Sequence, residues 1–279
     1  MSCRLWLIGG TQESRWLVEG VLTSTMLAGR ELSSCPLLVS VTTETARQLY
    51  PETAALVVWV GKLTPEQGDQ FIRTHQIGAI LDVSHPFAVD ISRLAIALAQ
   101  RHGLPYLRYE RASLNTLESA HWQDTRGRPG NVVLAQLTEL FTGGYLRGER
   151  TLLTMGYRQL SPCQGWQSRG TLFARILPSP VALTAALAAG FTSERIIALR
   201  PPVSPALEKA LWQQWHITQV VTKASGQAGG EDCKQAIAAE LGIRLLRVMR
   251  PFVPYPAQTA CLDTAIDFAW QFHQQQVNC

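Results

Sequence analysis

"LWLIGGTQES", residues 5–14, decides how the first third of the chain is read. Four apolar residues run straight into Gly9 and Gly10, and a helical pattern follows, with Trp16, Leu17, Val21 and Leu22 as its apolar stripe. A buried strand, a glycine turn and a helix in that order open many nucleotide-binding α/β units, although the G-x-G-x-x-G spacing is absent. Glycine lets backbone N–H groups approach a ligand with no Cβ in the way. A helix N-terminus aims further N–H groups at the same point, which suits phosphate. Gly9, Gly10 and Thr11 are therefore candidate phosphate-binding residues, with Ser14 and Arg15 reaching in from the first helical turn.

Outward from this stretch the alternation continues. "PLLVSVTT" (36–43), "AALVVWVG" (54–61), "IGAILDVS" (77–84) and "PYLRYE" (105–110) read as strands. Thr64, Pro65 and Gln67 supply an N-cap, a first-position proline and a capping-box side chain for the helix after the third strand. Near-continuous apolar strands with helices between them predict a parallel sheet covered on both faces. Residues 112–130 break the rhythm, and "TRGRPGN" (125–131) is polar and rich in turn formers, so this stretch reads as a loop or domain join. A second alternation then runs through "RTLLTMG" (150–156), "TLFARIL" (171–177), "RIIALRPP" (195–202), "ITQVVTKASG" (217–226) and "RLLRVMRP" (244–251) to a final helix over 258–276. The fold class is α/β, with two Rossmann-like doubly wound parallel-sheet domains over 1–115 and 116–279, the first binding the cofactor.

Composition bounds the partners. The 279 residues are 46% hydrophobic and 16% charged, with a net charge of +4, which describes a globular host for acidic small molecules rather than a duplex nucleic-acid binder. No apolar run is long enough for a bilayer or a signal peptide, so no membrane partner is expected. Six scattered cysteines without a C-x-x-C pair predict free thiols and a cytoplasmic location. The histidines are dispersed, so no metal site is expected, and no G-x-S-x-G elbow occurs.

Further candidates lie at strand ends. "DVSHPFA" (82–88) follows the fourth strand, which in a doubly wound sheet flanks the switch point beside the first. Pro86 keeps His85 out of helical geometry, so Asp82, Ser84 and His85 sit on a rigid bend. Ser84, His85 and Pro86 form a pocket wall, with His85 also a candidate proton donor. Thr42 and Thr43, with Arg47, stand where a 2′-phosphate would lie, and no acidic residue at that strand tip selects a free ribose diol. In "TKASGQAGG" (222–230), Lys223 offers a point charge, Ser225 a hydroxyl, and Gly226, Gly229 and Gly230 an anion-binding nest. Arg108, Arg111, Tyr157, Arg158 and Arg175 make a possible cationic rim for a polycarboxylate.

Together these segments resemble the precorrin-6A reductases of cobalamin biosynthesis. The resemblance rests on "GGTQE" (9–13), "GKL" (61–63), "DVSHPFA" (82–88), "RYER" (108–111), "MGYRQL" (155–160), "RILP" (175–178) and "KASGQAGGEDCK" (223–234), in this order over nearly the whole chain. "LRPPVS" (199–204) departs from a Gly-Pro-Phe common in relatives, and no proline follows Arg111. The resemblance implies two Rossmann-like domains that exchange a strand around the join, with the active site in the cleft between them. It implies a CH–CH oxidoreductase in which NADPH or NADH delivers hydride to (cobalt-)precorrin-6A to give the 6B product. The cofactor would lie at the first domain's switch point, and Arg and Lys side chains of both halves would hold the substrate's acetates and propionates. The proton would come from His85, Tyr157 or water. Other enzymes of the cobalamin pathway are implied as partners. A doubly wound domain does not itself fix the chemistry, so a methyltransferase and a non-enzymatic nucleotide- or tetrapyrrole-binding module stand as alternatives.

Overall fold

Side chains alternate along a strand, so Leu5 and Leu7 of β1 face one way and Trp6 and Ile8 the other, all buried. In the computed structural model, which describes residues 3–27, 37–111, 122–226 and 229–277, β1 (Arg4–Ile8) is followed by α1 (Gln12–Leu27), β2 (Leu37–Val41), α2 (Glu44–Arg47), β3 (Leu56–Val60), α3 (Pro65–Thr74), β4 (Ile77–Asp82), α4 (Val89–His102) and β5 (Tyr106–Tyr109). Then come β6 (Asn131–Leu134), α5 (Leu137–Thr142), β7 (Arg150–Leu153), β8 (Thr171–Ile176), α6 (Pro180–Ala188), β9 (Ile196–Ala198), α7 (Pro205–Gln214), β10 (Gln219–Lys223), α8 (Glu231–Leu241), β11 (Arg244–Val248), β12 (Gln258–Thr259) and α9 (Leu262–Val277).

The chain divides into two units, Met1–Ala112 with Phe252–Cys279, and Ser113–Pro251. The first holds a parallel sheet of order β12-β5-β4-β1-β2-β3. On one face Leu5, Leu7, Val39 and Leu81 pack with Leu17 and Val21 of α1 and Ala265, Ala269 and Phe272 of α9. On the other, Trp6, Ile8, Leu38 and Ile80 pack with Phe71 of α3 and Leu98 of α4. The buried Trp6 ring N–H donates to Ser40 Oγ at 2.8 Å. The capping box is formed: Thr64 N–H donates to the Gln67 side chain at 3.2 Å.

The second unit holds another parallel sheet, β6-β11-β10-β7-β8-β9. Its segment 122–130, expected as loop, is a braced turn: Asp124 Oδ1 accepts from the N–H groups of Arg126 and Arg128 at 2.9 and 2.8 Å. The rest of the expected join, 112–121, lies outside the described residues. Among the described residues no helix is long and apolar enough to cross a membrane.

The C-terminal end differs from expectation. Residues beyond 251 group with the first unit, not with a unit over 116–279. The final helix begins at Leu262 because the residues before it are spent on sheet pairing. Arg108 N–H donates to Ala257 O and Glu110 N–H to Thr259 O, both at 2.9 Å. α9 then lies close on α1, where a Cβ at Gly20 would sit 2.6 Å from Ile266 Cδ1. Phe272, 6% exposed, fixes α9 against β4, where a Cβ at Gly78 would lie 2.8 Å from its ring. Phe272→Ala should lower the stability of the first unit by about 3–5 kcal/mol in denaturant titrations.

Candidate functional site

All strands of the first sheet are parallel, so the segments after β1, β2, β4 and β5 share one edge. β1 lies between β2 and β4, and the order reverses there, which opens a crevice at the carboxyl ends. Gly9-Gly10-Thr11 forms one side of it, but its donors are not free. Gly9 N–H donates to Ser40 O at 2.9 Å, Gly10 N–H to the Tyr50 hydroxyl at 2.8 Å, and Thr11 N–H to Ser14 Oγ at 3.0 Å. Ser14 is fully buried, and its hydroxyl donates to Thr11 O at 2.6 Å, so it faces inward and not toward a ligand. Arg15 runs along the outside of α1 to Glu19, Nε to Oε1 2.8 Å. Thr42 and Thr43 stand exposed after β2, and Thr43 caps α2 by accepting the Ala46 N–H at 3.2 Å.

Across the crevice, the bend after β4 is built on a buried ion pair. Asp82 and Arg108 are 0% and 1% exposed. Asp82 Oδ1 accepts from Arg108 Nη1 at 2.8 Å and from Ser84 N–H at 3.0 Å, and Oδ2 accepts from the Tyr106 hydroxyl at 2.9 Å. Burial, then the neighbouring Asp82 charge, push the Tyr106 hydroxyl above its ordinary pKa, so it stays a donor. Arg108 also donates to Ser84 Oγ at 2.9 Å and to Glu110 at 3.1 Å, and stacks over the Tyr255 ring at 5.2 Å. Arg108 is thus a buried structural cation and not part of a substrate rim. Arg111 pairs with the buried Glu13 beside it. His85 Nδ1 accepts the Phe87 N–H at 3.2 Å, which puts the proton of the neutral ring on Nε2. Thr11, Glu13, Ser84, Pro86 and Arg111 line the crevice.

In the second unit, β7 and β10 flank the point where the strand order reverses. Gly156-Tyr157-Arg158 follows β7, and Lys223 ends β10. Arg158 lies over the Tyr157 ring at 5.5 Å. Burial, and then the Arg158 charge, pull the Lys223 ammonium down to about 8. Tyr157, Arg158 and Lys223 are therefore brought together. The glycine nest that follows is filled by the protein itself: Gly226 N–H donates to Glu231 Oε2 at 2.7 Å, and Arg247 braces the other oxygen at 3.1 Å. Lys234 Nζ donates to Gly229 O and Gly230 O at 2.8 and 3.0 Å. Gly229 is needed for packing, since a Cβ there would lie 1.8 Å from Ser225 Oγ. Gly226, Gly229 and Gly230 are thus tied to α8, and Ser225 packs against Gly229. Arg175 is held by Glu208. Tyr50 is marked by no pattern in the sequence, and Glu231, though inside the segment 223–234, is not singled out by it.

Two doubly wound parallel units define the class as a two-unit α/β protein. The family described as "Precorrin-6x reductase CbiJ/CobK" matches residues 4–269. A Cobalt-precorrin-6A reductase of Synechocystis sp. is 48% identical over 252 residues, 88% of each chain. A Precorrin-6A reductase of Rhodococcus erythropolis is 30% identical over 96% of each. A solved structure of CobK precorrin-6A reductase has the same fold, with a TM-score of 0.72 over 97% of each chain at 20% identity. The chain belongs to the precorrin-6x reductase family.

The buried pair gives a stability test. Asp82→Ala leaves Arg108 charged in the sheet interior and should cost about 3–5 kcal/mol in urea titrations. The double variant Asp82→Leu/Arg108→Met should lose less than the single one.

Proposed function

We propose that this chain is a reductase of cobalamin biosynthesis that transfers hydride from NADPH or NADH to a macrocyclic tetrapyrrole, precorrin-6A or its cobalt form, saturating one ring double bond. The observation that carries the reading is the 48% identity, over 88% of the chain, to a relative named Cobalt-precorrin-6A reductase. Family membership sets the methyltransferase and non-enzymatic readings behind it.

In the first unit, the dinucleotide would lie along the crevice beside the start of α1. A Cβ built on Gly10 meets nothing within 4 Å, so the turn is open on that side. The N–H groups of Gln12 and Glu13 have no acceptor among the described residues, and a helix start of this kind suits a diphosphate. A bound reduced nicotinamide supplies the hydride. Pro86, buried, and His85, braced through Nδ1, form a rigid wall for the ring and offer an Nε2 proton to the reduced macrocycle. Lys223 and Arg158 attract the substrate's carboxylates, and Tyr157 holds the Arg158 guanidinium flat.

The direct test is an anaerobic assay of the purified chain with NADPH and NADH against both substrate forms. Cofactor oxidation matched by product is expected with one pair, and no turnover with any pair overturns the reading. Lys223 adds a pH signature. Its folded pKa is depressed to about 8, so its charge is present below that value and lost above it. KM for the tetrapyrrole should rise about tenfold from about pH 7 to about pH 9.5, the size of one charge-assisted contact. Lys223→Arg should flatten this rise, and Lys223→Met should show the high KM throughout.

A further inference from the structure

The Gly9–Gly10 turn is held from forty residues away, by Tyr50. Tyr50 follows α2, is 7% exposed, and passes its ring under the turn. Its hydroxyl accepts the Gly10 N–H at 2.8 Å and lies 2.6 Å from Ser14 Oγ. The direction of that second bond follows from proton counting. Ser14 Oγ lies 2.6 Å from Thr11 O, which can only accept, so the single Ser14 proton goes there. Ser14 Oγ therefore accepts from both Tyr50 and the Thr11 N–H. A one-way chain results: Gly10 N–H to Tyr50 O–H to Ser14 O–H to Thr11 C=O.

Three further observations tie this chain to the shape of the turn. Gly9 must lack a Cβ, which would lie 2.3 Å from the Tyr50 hydroxyl and 2.8 Å from Val39 Cγ1. Gly10 has φ +98°, a conformation that an L side chain rarely adopts, and its amide points down at Tyr50. Burial raises the Tyr50 pKa against the bond it accepts from Gly10, so the hydroxyl keeps the proton that the chain needs. With Gly9, Gly10 and Thr11 amides consumed, only the N–H groups that open α1 remain for an anion.

We propose that Tyr50 is a positioning residue for dinucleotide binding: through this one-way chain it holds Gly10 in the conformation that leaves the start of α1 open to the diphosphate. The inference rests on the reading that the first unit binds a nicotinamide dinucleotide. Tyr50 does not touch the reacting atoms. It acts through Gly10 and Ser14.

Tyr50→Phe keeps the ring in the core and removes only the hydroxyl. The measurements are thermal stability, Kd for reduced dinucleotide by fluorescence, and steady-state kinetics. Kd and KM for the dinucleotide should rise about tenfold, one hydrogen-bonded arrangement's worth, with kcat at saturating dinucleotide and KM for the tetrapyrrole within about twofold of wild type. Ser14→Ala breaks the same chain one link later and should raise the same Kd, which keeps the test alive if Tyr50→Phe fails to fold. The double variant should be no worse than the more damaged single one by more than about twofold, because links of one chain do not add. Fully additive losses, or a Tyr50→Phe protein that melts earlier but binds dinucleotide as wild type does, overturn the positioning role while leaving the proposed function intact. A wild-type protein that binds neither NADPH nor NADH overturns both.

Discussion

A carboxylate and a guanidinium buried side by side in a sheet are tolerated only if nearly every lone pair and N–H finds a partner, because each ion's loss of water costs several kcal/mol. Asp82 and Arg108 meet that demand at the carboxyl ends of β4 and β5. Their partners come from everything around the crevice: Tyr106 and Glu110 on either side of Arg108, and Ser84 on the bend. Tyr255, just ahead of β12, lays its ring against Arg108. The pair therefore fixes three things at once. It sets β5 beside β4, it holds the bend that presents His85, and it docks the segment that brings β12 and α9 back to the first sheet. Moving any one of these would leave an ion unpaired.

How far the chain could be read in advance depended on whether a feature is written locally. Leu5–Ile8 reads as a parallel strand because both its faces are buried, which leaves no polar alternation. The Thr64–Gln67 cap is legible because both partners lie within one turn. The two-residue β12 carries no periodicity, so it merged into the helix that follows. The surroundings of the arginines were illegible for another reason. Arg108, Arg111 and Arg175 each looked like a cation free for substrate, and each meets a carboxylate 26, 98 and 33 residues away, at Asp82, Glu13 and Glu208. Only the fold decides whether a strand-end arginine faces water or a partner.

The same distinction separates what glycine does from what it seems to do. Both glycine segments look built for ligand approach, and both are closed by the protein's own groups. In the first unit Tyr50 and Ser14 take the amides of the turn. In the second, Glu231 supplies the anion for the Gly226 amide. Gly9 and Gly229 are required because a neighbour, Tyr50 or Ser225, packs where a Cβ would stand. The open donors are shifted one step along the chain, to the first amides of α1.

In the second unit the equivalent opening is electrostatic. Lys223 is disfavoured as a cation first by burial and then by Arg158, so two like charges are held at the carboxyl ends of β7 and β10 at some expense to the folded state. Elsewhere in the same unit, Glu208 meets Arg175 and Glu231 meets Arg247. Under the proposed function, an anion arriving beside Lys223 and Arg158 would weaken the repulsion between them and favour the charged lysine. A ligand rich in carboxylates gains twice from such an arrangement, through direct attraction and through removal of a repulsion that the unliganded protein bears. Under the proposed function, the Lys223–Arg158 corner, rather than the glycine loop whose Gly226 amide Glu231 already fills, is therefore the part of the second unit proposed to meet an acidic macrocycle.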